Sequence, residues 1–168
     1  MLKRAMFMAA TGLALTMTGM TAVADEAPLS VNVKRLSLES AQKVAEATIA
    51  ECRSQGIQVS VTVVDRNGTP QVMMRDTLAP PVSVGISKDK AYTSANFTAP
   101  SGGLERMKGS PLYVRDGLVM SAGAVVIEAG GQIYGAVGVS GAPGGDLDEA
   151  CAKAGLAAIA EDLEMGGM

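Results

Sequence analysis

Apolar and polar residues recur along this chain with two periods, and the changes of period mark its elements. Leu38, Ala41, Ala45, Thr48, Ile49 and Cys52 share one helical stripe, with Ser37 placed as an N-cap, Glu39 at the positive end of the dipole and Gly56 as a stop. This predicts a helix over 38–55. Val59, Val61 and Val63 then alternate with Ser60 and Thr62, the period of a half-buried strand. Asp65-Arg66-Asn67-Gly68 carries the Asn-Gly hairpin signal, and 71–74 is the return strand. A second helix is expected from Pro80-Pro81 to about Phe97, although its stripe is weak and Gly85 interrupts it. Pro and Gly punctuate 99–117, which has room for one helical turn over 104–107. A second hairpin follows, 124–128 and 132–139 around Ala129-Gly130-Gly131. Gly138 to Gly145 (GVSGAPGG) reads as a glycine-rich loop opening a last helix over 147–163. Ala150, Ala154, Gly155, Ala157 and Ala158 make that helix thin enough for close approach to a neighbour. The order is helix, hairpin, helix, loop, hairpin, helix, which implies a mostly antiparallel sheet covered by helices.

The start of the chain has a different pattern. Lys3 and Arg4 precede an apolar run over 5–20, short for a membrane span, that leads to Ala22-Val23-Ala24. This is the pattern of a signal peptide over 1–24, cleaved after Ala24, and it implies a periplasmic or secreted, soluble mature chain. Residues 25–35 form a leader or short edge segment, and 36–168 form a single domain. Loss of Lys3 and Arg4 takes the formal net charge from −3 to −5. An acidic chain with 3% aromatic residues argues against nucleic acid, and against an anionic membrane once the leader is gone.

The absence of histidine excludes more chemistry than any other feature. It removes Ser-His-Asp and Cys-His nucleophiles and His-bearing zinc sites. No catalytic residues are assigned, and no metal-ligand set is identified. The glycine-rich loop is read as a tight strand-to-helix turn, or as a backbone cradle for an anionic group. Asp146, Asp148 and Glu149 compensate the dipole of the last helix. Met73, Met74, Met107 and Met120 have core packing as their first explanation. Lys88 and Lys90 on the second helix, with Arg106 and Lys108 beyond it, form either a site for ligand carboxylates or a solvated face. Cys52 and Cys151 are a bridge candidate in an oxidising compartment, with two buried thiols as the alternative.

Three stretches together resemble the GlcG/HbpS family and the related C-terminal domain of PduO-type proteins. They are LSLESAQKVAEATIAECRSQGIQVSVTVVDRNG, ISKDKAYTSANF and GGQIYGAVGVSGAPGGDLDEACAKAGLAAI. The resemblance implies a profilin-like α/β (α+β) fold with a five-stranded, mostly antiparallel sheet, homo-oligomers, and haem or a similar tetrapyrrole as ligand in exported members. The side-by-side terminal helices of that fold bring the end of the first helix to the start of the last, and so Cys52 to Cys151. Lys88, Lys90 and Arg106 are the candidates for the haem propionates. Met107 and Tyr113 would lie against the macrocycle, and Tyr92, Tyr113, Met107 and Met120 are the conceivable iron ligands. The other readings are an accessory protein or enzyme of small-acid, glycolate-type metabolism, and a structural subunit.

Overall fold

The computed structural model describes residues 28–166, so the expected signal peptide lies outside the described residues. A compact unit begins at Asn32. Helix α1 is Leu38–Ser54, and the Ser37 hydroxyl accepts the Ser40 N–H at 3.1 Å. The first hairpin is β1, Ser60–Asp65, and β2, Pro70–Arg75. Its turn is held by the Asp65 carboxylate, which accepts the N–H groups of Asn67 and Thr69 at 2.8 and 3.0 Å, and Gly68 takes the left-handed φ of 83°. Helix α2 is Val82–Phe97. Two short 3-10 turns, Ser101–Met107 and Pro111–Val114, occupy the segment where a single turn was expected. The second hairpin is β3, Ala124–Ala129, and β4, Gln132–Ser140.

All strand pairs are antiparallel, in the order β2-β1-β4-β3. The two hairpins therefore join through β1 and β4. The expected fifth strand is absent among the described residues. The chain before α1 meets the sheet through side chains instead: Gln71 Nε2 donates to the Leu36 carbonyl at 2.9 Å, and Arg35 pairs with Asp65 at 3.2 Å.

The last helix is not continuous. Helix α3, Gly145–Ala157, gives way at Ala158 and Ile159 to α4, Ala160–Gly166. The break lets Ile159, 4% exposed, turn into the core.

The two faces of the sheet differ in kind. Val61, Val63, Val125, Ile127, Val137 and Val139 pack with Val44, Ile49, Cys52 and Cys151 of α1 and α3 in the main apolar core. Gly155 of α3 lies so close to α1 that an added Cβ would meet Thr48 Oγ1 and come within 2.8 Å of the Val44 carbonyl. Cys52 and Cys151, both fully buried, form a disulfide with their Cα atoms 5.6 Å apart.

The opposite face presents Ser60, Thr62 and Val64 of β1, with Ala136, Gly138 and Ser140 of β4, and α2 covers it. Every residue of β1 is consequently buried, where the alternating pattern predicted one wet face. Ser60 pairs with Ser83 at 2.7 Å, and Thr62 with Ser87 at 2.9 Å. A Cβ at Gly138 would collide with the Ser87 carbonyl and stand 2.6 Å from the Ala91 nitrogen. Gly138 is thus a strand residue that lets a helix backbone approach. The loop proper is only Gly141 to Gly144.

Candidate functional site

Pro80 and the first turns of α2, the Gly141–Gly144 loop and the first turn of α3 converge at one end of the polar face. They enclose a cleft of about 670 Å³, within the range that holds small molecules. Val82, Ser83, Ile86 and Lys90 of α2 form one wall. Ser140 and the loop form the other, with Glu105, Ser121, Ala122 and Asp146 at its borders.

At the cleft floor Lys90 Nζ donates to Asp148 Oδ2 at 2.9 Å and to the Val139 carbonyl at 3.2 Å. Both residues of the ion pair are nearly sealed from solvent, at 4% and 3% exposure. The second Asp148 oxygen accepts the Ala142 N–H at 3.0 Å, tying the loop to α3. One carboxylate therefore locks three elements. A buried pair of this kind contributes little net stability, because desolvation offsets much of the attraction, yet losing one partner is costly.

These contacts revise two expectations. Asp148 is the counter-ion of Lys90 and an anchor for the loop, beyond any compensation of a helix dipole. Lys90 points inward, so its charge is already matched and is not a free surface cation. The loop acts first as a strand-to-helix turn. The acids beside it, Asp146 and Asp148, oppose a carboxylate or phosphate there.

The remaining candidates lie away from the cleft walls. Lys88 is half-exposed on α2, 3.4 Å from Asp89 Oδ1. Tyr92 is 39% exposed, with its ring against Gly68 and its hydroxyl without a partner among the described residues. Arg106, on the first 3-10 turn, is exposed and donates to the Gly103 carbonyl. Met107 and Tyr113 are half-buried on the two successive turns. Met120, 3% exposed, is buried packing, in keeping with the reading of the methionines as core, whereas Met73 is 45% exposed. This segment is pinned to the body by Thr93 Oγ1, which accepts the Val119 N–H at 2.9 Å, and by Ser101 Oγ, which donates to the Ser121 carbonyl at 2.6 Å. No group of three or more acidic or cysteine side chains able to hold a metal ion occurs among the described residues.

Sequence reasoning missed Asp148 as a partner of Lys90, and Ser83 and Ser140 as lining residues. The one available signal was a lysine on a helix whose other inward positions are Ser, Thr and Ala.

Fold and comparison agree on a class. Residues 36–157 match the family model described as "Haem degrading protein HbpS-like", and the chain belongs to that family. It is 34% identical to protein GlcG of Escherichia coli over 108 residues, covering 62% of this chain and 81% of that protein. Among solved structures it superimposes on a double mutant of Streptomyces reticuli HbpS with a TM-score of 0.73 and 37% identity, covering 83% of this chain and 97% of that one. The PduOC–haem complex has the same fold, with a TM-score of 0.69 at 23% identity over 74% of this chain and 95% of that one.

Proposed function

We propose that this chain is an exported haem-binding protein of the HbpS type, freed of its leader after Ala24 and acting as a homo-oligomer in the periplasm or outside the cell. The observation that carries the reading is the match to the HbpS-like family over 36–157. The buried Cys52–Cys151 disulfide supports export, since such bonds persist in oxidising compartments. Exposed apolar side chains at Leu112 and Val114 are available to a contact between subunits.

Haem fits the face formed by α2 and the two 3-10 turns better than it fits the cleft. Lys88 and Arg106 carry exposed cationic heads suited to propionates, and Met107 and Tyr113, on the two turns, offer half-buried apolar surface. Haem would supply an iron centre open to weak oxygen or thioether ligation, with Tyr92 or Tyr113 as the phenol. No arrangement among the described residues favours the small-acid enzyme reading.

A Soret-band titration tests this function. Saturation near one haem per subunit is expected, with K88A/R106A binding several-fold more weakly and K153A, on α3, unchanged. An absence of saturable spectral change with equimolar haem overturns it.

A further inference from the structure

The cleft has binding capacity that the fold leaves unspent. Ser140 is 7% exposed and lines the cleft, yet its hydroxyl takes no hydrogen bond among the described residues. The sealed side-chain atoms without a partner among the described residues are Gln71 Oε1 and Ser110 Oγ, so the Ser140 hydroxyl is open to the cleft and available to a ligand. Lys90 beside it has three N–H donors and commits two of them, to Asp148 and Val139. Glu105 and Asp146 border the same space without an ion-pair partner among the described residues. The balance is three carboxylates, with Asp148, against one lysine. A buried ion pair contributes little net stability, so stabilisation alone does not account for one at the floor of a cleft.

We propose that this cleft is a second small-molecule site, distinct from the haem face, for a neutral polyhydroxylated ligand such as a sugar or polyol. Hydroxyl groups both donate and accept, so one ligand satisfies opposite demands. Its oxygens accept from Lys90 and Ser140 at the floor, and its O–H groups donate to Glu105 and Asp146 at the border. An acid of the same size meets an excess of negative charge and is rejected. A haem propionate is rejected for the same reason, which keeps the two sites apart.

Amide-resolved NMR titration of the full mature chain with D-glucose and with D-gluconate tests the proposal. Glucose is expected to give saturable shifts at Gly141, Ala142, Gly144 and Gly145, and gluconate to bind roughly tenfold more weakly. Ser140→Ala should weaken glucose by roughly tenfold, the loss of one hydrogen bond to a ligand, while leaving the melting temperature of the free protein unchanged because that hydroxyl bonds nothing in the fold. Glu105→Gln should narrow the difference between glucose and gluconate. No saturable shift with glucose, shifts confined to other residues, or gluconate binding as tightly as glucose would each overturn the proposal. Competition between glucose and haem would also overturn it, by making the two sites one. Haem binding with glucose inert removes this inference and leaves the proposed function standing.

Discussion

The two faces of the sheet are built by opposite means. The face toward α1 and α3 is aliphatic, and it is held by burial and by a covalent bond between helices. The face toward α2 has a small apolar patch, Val64, Ala91, Ala95 and Ala136, and otherwise relies on hydroxyl pairs and close backbone approach. Burial is non-directional and tolerates repacking, whereas hydroxyl pairs and glycine contacts demand one geometry. The cleft lies on the second face, where the geometry is most closely specified. A robust half thus carries a more exacting half on which ligand-facing groups can be held in place.

Breaking the robust half should have the largest effect. Cys52→Ala with Cys151→Ala opens a loop spanning a sequence separation of 99 residues. By chain entropy it should cost up to about 4.7 kcal/mol, read as a lower urea midpoint. A change below about 1 kcal/mol would show that α1 and α3 are held by packing alone.

On the exacting half, Gly138→Val drives a side chain into the α2 backbone and should cost about 3 kcal/mol, the upper end of overpacking. Because α2 carries Lys90, this variant should also disturb the amides around the cleft. Gly155→Ala strains the other face and should leave those amides in place, which distinguishes the two faces directly.

Thr62→Val probes the polar seam more gently. It removes one hydroxyl from a buried pair and should cost about 1 kcal/mol, less than leaving a group wholly unpaired, because Ser87 keeps its bond to the Val84 carbonyl. A double-mutant cycle with Ser87→Ala measures the coupling.

The smallest effect concerns pH. Arg53 Nε and Nη2 grip the Asp76 carboxylate at 2.7 and 2.9 Å and hold its pKa below the ordinary 3.8, a hydrogen bond to the Thr77 N–H helping and burial opposing. A depressed carboxylate pKa adds stability that is present above the unfolded value and lost as pH falls through the folded one. Acid titration of the urea midpoint should therefore fall more steeply below 3.8 in the wild type than in Asp76→Asn.

How much was legible follows the same division. The α1 stripe, the Asn-Gly hairpin and both strand pairs could be read because aliphatic periodicity reports burial against a generic apolar partner. Helix α2 read weakly for a physical reason: its buried positions are Ser83, Ser87, Lys90, Ala91, Thr93, Ser94 and Ala95, small or polar residues that look exposed in a pattern but fit a sheet surface of Ser60, Thr62 and Gly138. The fifth strand, inferred from resemblance, was never supported by a further hairpin in the pattern.

What the amino-acid order determined by itself was local: the order and type of the main helices and strands, the exclusion of histidine chemistry, and the presence of two cysteines free to pair. Tertiary structure decided which polar groups meet. Lys90 and Asp148 stand 58 residues apart, and nothing local to either names the other. Their pairing, the enclosure of Ser140 and the burial of both faces of β1 depend on α2 lying across β4 at Gly138. Charge and hydroxyl groups acquire their roles from the partner they face, and that partner exists only once distant segments have packed.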